Sequence, residues 1–183
     1  MRIIIDIAHP AHVHFFKNFI WLMEKRGHEI IITAGDKEVT LKLLENYGFK
    51  YLFTCRRTNG YKLILEVVKR DIQMLHFVRE YKPDIVMGIA STIASHVSRV
   101  TEANSIVFTD TEHTKLADLI TYPFSDCIVT PSCYSRSLGE KQIRYNGYHE
   151  LAYLHPNRFT PNPAVLTELG LAEGDPFIIV RFV

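Results

Sequence analysis

Cysteine is scarce: Cys55, Cys127 and Cys133 are the only three in 183 residues, and no two form a C-x-x-C pair. An odd set without that spacing excludes a disulfide scaffold and a thiolate metal site. Free thiols in a reducing compartment are expected, which makes the cytoplasm the expected location. No apolar run reaches the roughly 18 residues that a spanning helix needs. Met1-Arg2 leads straight into a β-type run, so no signal peptide is expected. Peripheral membrane contact stays open. Charge of one sign is also lacking: 21 Lys+Arg against 20 Asp+Glu leave a formal net charge of +1. That field is too weak to gather nucleic acid. Internal repeats and low-complexity tracts are missing. The composition that remains, 47% hydrophobic and 22% charged, is that of a globular chain able to build its own core. Its length fits one α/β domain with some excess.

The plan of the chain is set by residues 1–33. Ile3, Ile4 and Ile5 form a β-branched run suited to a strand buried on both faces of a parallel sheet. Pro10 suits the first turn of a helix, where a missing N–H costs nothing. From Val13, the apolar positions Phe16, Phe19, Ile20 and Met23 recur at helical spacing. Gly27 stops that helix, and 29–33 reads as a second buried strand. The loop 7–14 therefore lies outside a strand's carboxyl end, at a helix N-terminus, where open α/β sheets bind ligands.

Further along, the patterns predict helices over 37–47, 61–81, 91–101 and 112–120. They predict strands over 51–53, 84–88, 105–109, 127–129 and 142–145. Such alternation implies one open parallel sheet of the Rossmann-like α/β class, with helices on both faces. That domain is expected to span 1–151. Pro156, Pro161 and Pro163, with Asn157 and Asn162, mark a linker with a short helix over 152–176. The run 177–183 then reads as a buried strand, the first of a missing or truncated second domain. Left without a partner, it would be a site of self-association.

Five polar groups fall at strand ends. His9, His12 and His14 crowd the first loop, and His12 suits a general base or a sugar-hydroxyl ligand because imidazole titrates near neutrality. Their HxxHxH spacing is not that of a zinc site, so no metal is expected. GIAST, residues 88–92, places Ser91 and Thr92 either to cap the next helix or to meet a ligand. TDTEH, residues 109–113, gathers Asp110, Glu112 and His113. It reads either as an N-cap or as an acid/base group whose carboxylate a desolvated pocket would raise toward neutrality. Asn146-Gly147-Tyr148 reads as a turn, which would lie beside the cleft if a second domain follows. Arg56-Arg57 reads as solvated surface or as a phosphate contact.

With these residues in hand, the chain resembles domain-of-unknown-function family 354, usually grouped with the nucleotide-sugar enzymes of the two-domain GT-B architecture. The resemblance rests on IDIAHPAHVHFFKNFIWLMEKRGHEI, FTDTEH and YNGYHELAYLHP. It extends to the lipid-linked N-acetylglucosaminyltransferases of the MurG type and the non-hydrolysing UDP-N-acetylglucosamine 2-epimerases. His12 in AHPAH stands where the MurG-type loop ends in histidine. Glu112 matches the carboxylate of the HEQN and HVEAG motifs of these families. GIAST matches the epimerases' Gly-Asp-Thr turn loosely, and Asn146-Gly147-Tyr148 matches their TGN turn.

The resemblance implies the N-terminal, acceptor-binding half of a glycosyltransferase-like enzyme, incomplete without its donor-binding half. His12 and Glu112 would be catalytic. His9, His14, Ser91, Thr92, Asp110, His113, Asn146 and Gly147 would bind ligand. A UDP-sugar would be substrate, with no separate cofactor and no nucleic-acid partner. The alternatives are 2-epimerase-type chemistry on the nucleotide sugar and a non-catalytic binding module.

Overall fold

The computed structural model describes residues 1–56 and 63–180. In chain order it runs β1 (Arg2–Ile7), α1 (Pro10–Lys25), β2 (Glu29–Asp36), α2 (Thr40–Asn46), β3 (Leu52–Arg56), α3 (Leu63–Tyr81) and β4 (Ile85–Ile89). It continues with α4 (Thr92–Ser98), β5 (Asn104–Phe108), α5 (Lys115–Thr121), β6 (Cys127–Pro131), β7 (Gln142–Tyr145), α6 (Leu151–Leu154) and α7 (Ala164–Glu168). The strands form one sheet in the order β3-β2-β1-β4-β5-β6-β7, and every adjacent pair is parallel. This is the Rossmann-like arrangement read from the alternation of strands and helices. The order reverses beside β1, where the chain, having built outward to β3, returns with β4 on the other side. Such a switch opens a crevice at the strands' carboxyl ends.

The run of isoleucines explains why both faces are covered. Successive strand side chains point to opposite faces. Ile3, Ile5 and Ile7 pack with Val13, Phe16 and Ile20 of α1 and Leu44 of α2. Ile4 packs on the other face with Met74 and Val78 of α3 and Ile93, Ala94 and Val97 of α4. Ile4, Ile5 and Ile7 are fully buried, each worth roughly 1.5–3 kcal/mol relative to exposure. α1 begins as its sequence predicts. His9 is the N-cap, its side chain accepts from the Ala11 amide, and Pro10 fills the first helical position. Gly27, at φ +80°, ends the turn that follows it.

Several boundaries differ from expectation for local reasons. Glu38, at φ +52°, breaks the backbone before α2, so that helix starts at Thr40 rather than 37. The helix expected from Glu112 starts at Lys115, because the Glu112 carboxylate is tied to Ser135 outside the helix. Part of the expected linker is ordered: α6 docks on α1, with the Asn18 amide donating to the Ala152 carbonyl at 2.8 Å. Residues 177–180 form no strand and are exposed, Ile178 at 89% and Ile179 at 83%. Residues 181–183 lie outside the described residues.

Candidate functional site

Because all seven strands run the same way, the loops after β1, β4, β5 and β7 emerge at one edge of the sheet. Neighbouring strands lie about 4.8 Å apart, so the ends of β1 and β5, with β4 between them, are roughly 10 Å apart. His12, Ser91 and Glu112 thus belong to one rim. What each side chain does there differs.

At the switch point the residues mostly hold the structure. The Asp6 side chain, 3% exposed, accepts from Ser91 Oγ at 2.7 Å and meets Arg70 Nη2 and Thr33 Oγ1, each at 3.4 Å. Ser91 also caps α4, its Oγ accepting from the Ala94 amide. Gly88 makes this arrangement possible, since a Cβ there would fall 2.8 Å from Ser91 Cβ and 3.0 Å from the Asp6 carbonyl oxygen. Thr92 pairs with Thr121 at 2.8 Å, joining α4 to α5. Of the two readings offered by GIAST, capping and packing account for both hydroxyls. His9 caps α1 and lies 3.9 Å from Glu38. His12 Nδ1 accepts from the Ala8 amide at 3.3 Å, folding the ring back onto its own loop. His14 turns elsewhere, to the Tyr47 hydroxyl at 3.2 Å and the Tyr153 ring. Burial and the neighbouring Lys17 hold its pKa below the usual imidazole range.

Beyond β5 the polar groups face a cavity of about 220 Å³ lined by Asp110, Glu112, Cys133, Tyr134, Tyr148 and His149 among others. Asp110 Oδ2 lies 3.0 Å from His149 Nδ1. Glu112 receives hydrogen bonds from the backbone amide of Ser135, at 2.8 Å, and from its hydroxyl. The expectation of a carboxylate raised toward neutrality is overturned at both positions. The His149 hydrogen bond holds Asp110 below the ordinary carboxylate range, and the two Ser135 bonds do the same for Glu112. Donors that stabilise the charged form outweigh desolvation here. Both groups are therefore ionised near neutral pH. His113 beside them is exposed.

A second, more apolar cleft of about 440 Å³ adjoins the first through Tyr148. Phe15, Phe108, Val129, Tyr145, Asn146 and Gly147 are among the residues that line it. His149 lies between the two spaces, its ring against Phe15 at 4.7 Å and stacked on Tyr145 at 6.3 Å. Larger cavities exist, of about 570 Å³ at the amino ends of β4 and β5 and about 650 Å³ along α5. Neither adjoins the Asp110, Glu112 and His149 cluster, so chemistry rather than volume selects the carboxyl edge. Among the described residues no group of three or more His, Cys, Asp or Glu is arranged to hold a metal ion. Arg57 and the Arg56 side chain lie outside the described residues. No helix among the described residues is long and apolar enough to cross a membrane.

The model of one protein family, described as "Protein of unknown function (DUF354)", matches residues 1–183. The chain belongs to this family. A curated relative, the uncharacterised protein MJ0665 of Methanocaldococcus jannaschii, is 25% identical over 188 aligned positions, which cover 97% of this chain and 54% of the relative. This DUF354 chain thus spans about half the length of the relative it matches.

Among solved structures, the DUF354 chain is similar to MurG of Acinetobacter baumannii, at a TM-score of 0.65 and 10% identity over 78% of this chain and 45% of the other. It is similar to the UDP-GlcNAc 2-epimerase of M. jannaschii, at 0.58 and 12% over 72% and 40%. The glycosyltransferase SsfS6 of Streptomyces sp. SF2575 gives 0.55 and 15% over 80% and 56%. At such identities the likeness is one of fold: the DUF354 chain carries a glycosyltransferase-like Rossmann domain.

His149 is the site residue that the DUF354 sequence did not give up. It stands within YNGYHE, three residues past the Asn146 turn, at the carboxyl end of the last strand. The available signal was a histidine placed, like His12, within a few residues of a strand's carboxyl end. Its partner Asp110 lies 39 positions earlier, and only the order β5-β6-β7 brings them together.

Proposed function

We propose that this chain is the acceptor-side half of a nucleotide-sugar glycosyltransferase-like enzyme, whose donor-binding half lies in the remaining length that its relatives possess. The observation that carries this reading is the cluster of ionised carboxylates, Asp110 and Glu112, with a buried imidazole, around a cavity at the carboxyl edge of a Rossmann sheet. At about 220 Å³ the cavity is smaller than the roughly 300–1,000 Å³ of a complete ligand site. That size fits one part of a ligand completed by a second domain.

Carboxylates accept hydrogen bonds from sugar hydroxyls, and Glu112, held ionised, suits that contact. His12, whose Nδ1 accepts from the Ala8 amide at 3.3 Å, stands on the same rim. In this reading the acceptor hydroxyl attacks the sugar's anomeric carbon while the other half steadies the departing nucleoside diphosphate.

The test uses a full-length protein carrying this chain, supplied in turn with UDP- and dTDP-sugars, with release of nucleoside diphosphate as readout. Release is expected with at least one sugar, and Glu112→Gln should lower kcat/KM by about tenfold or more, the loss of a charge-assisted hydrogen bond. Turnover unchanged by that substitution would remove Glu112 from the site. Likeness to a 2-epimerase favours a second reading, separated by product analysis: an epimerised nucleotide sugar formed without any acceptor would replace transfer by epimerisation.

A further inference from the structure

Two imidazoles at the carboxyl edge are held in opposite senses. His12 uses its Nδ1 lone pair to accept from the Ala8 amide. His9 likewise accepts from Ala11 through Nδ1, and His155 from Asn157. A neutral ring so held keeps its proton on Nε2 and has no lone pair left for a substrate. His149 is reversed. Its Nδ1 faces the Asp110 carboxylate at 3.0 Å, and an ionised carboxylate only accepts. The proton is then on Nδ1 and the lone pair on Nε2.

That Nε2 is buried and has no hydrogen-bond partner, on a residue only 7% exposed. Buried polar atoms are normally paired, so an orphaned acceptor in a cavity wall marks a place where a ligand donor belongs. The His149 ring packs against Phe15 at 4.7 Å and lies parallel to that of Tyr145 at 6.3 Å. A base within reach of a cavity, oriented by a third group that fixes its tautomer, is the arrangement that general-base catalysis requires.

We propose that His149, oriented by Asp110, is the base that takes the proton from the acceptor hydroxyl; this rests on the transferase reading above. The acceptor oxygen forms the new bond to the anomeric carbon of the nucleotide sugar. The bond from that carbon to the diphosphate oxygen breaks, and its electron pair leaves with the nucleoside diphosphate. The hydroxyl proton passes to His149 Nε2, giving an imidazolium beside the Asp110 carboxylate. Water or the departing diphosphate then collects that proton, which restores the neutral ring. His149 is the catalytic residue and Asp110 the positioning residue.

The first arm of the test is ¹⁵N NMR of the histidine rings in this chain near neutral pH. His149 should show the Nδ1–H form, and Asp110→Asn should convert it to a mixture; an Nε2–H ring in the wild type overturns the proposal. The second arm uses the full-length protein with the nucleotide sugar that it turns over fastest, and water or an added simple alcohol such as methanol as acceptor. His149→Asn should lower kcat by about 10²–10⁴-fold, the usual worth of a general base, with donor KM within about threefold. Asp110 is partly exposed, so Asp110→Asn tests the same claim without disturbing a buried site, and should lower kcat with KM kept. If the wild type turns over but both variants keep its kcat, His149 is not the base while the transferase reading survives. If no nucleotide sugar is turned over at all, both fall together.

Discussion

His14 lies between the rings of Tyr47 and Tyr153, and burial and Lys17 both disfavour its charged form. Its folded pKa is therefore below the unfolded value near 6.5. The sign of the pH effect follows by linkage. Above that value both states are neutral at this position, and the group contributes nothing to pH dependence. As pH falls below it, the unfolded chain binds the proton first, so stability declines until the folded pKa is reached and is level beyond. His14→Phe keeps the aromatic packing and removes the titration. In calorimetric scans between neutral pH and about pH 5, the melting temperature of wild type should fall more steeply than that of the variant. Parallel curves would show that His14 is not the group responsible. The depressed carboxylates Asp110 and Glu112 do not confuse this window. Their stabilisation is present above the unfolded carboxylate range, and is lost only at lower pH.

Between residues and the whole fold stands the short helix α4, and Ser91 shows how its start is tied to the sheet. One hydroxyl caps the helix at Ala94 and donates to the buried Asp6 carboxyl at the end of β1. Ser91→Ala removes both. A lost cap costs about 1 kcal/mol and a lost hydrogen bond to a charged group about 1.5–3 kcal/mol. Urea unfolding should thus show a loss of about 2–4 kcal/mol, beyond what a cap alone explains. A loss under about 1 kcal/mol would mean that Arg70 and Thr33 satisfy Asp6 without it. The capping half of this role was legible in GIAST, because Ser before a periodic apolar run is a local signal. The Asp6 half was not, since it joins residues 85 positions apart. The same division runs through the other elements. β1, α1 and β4 to β7 were readable from period and punctuation. The start of α5 was set instead by Ser135 reaching Glu112, and α6 by Asn18 reaching Ala152, contacts that no window of neighbouring residues contains.

For the molecule as a whole, the seven-stranded sheet runs from Arg2 to Tyr145 with an apolar layer on each face, and residues 177–180 lie outside it. Phe177, Ile178, Ile179 and Val180 are 54 to 89% exposed and pair with no strand, although their β-branched run is of the kind that fills a sheet interior. Exposed apolar runs of this kind mark a surface meant to be covered. If a donor-side half follows in the full-length protein, these residues enter its sheet as a first strand. Amide hydrogen exchange reads ladder formation directly. In this chain alone the amides of Ile178, Ile179 and Val180 should exchange at nearly unprotected rates, while those of β1 and β4 exchange slowly. In the full-length protein the same three amides should slow by at least about 10³-fold, the protection of an interior strand opening with a free energy of about 4 kcal/mol. Retained fast exchange there would show that the run is not part of a second sheet.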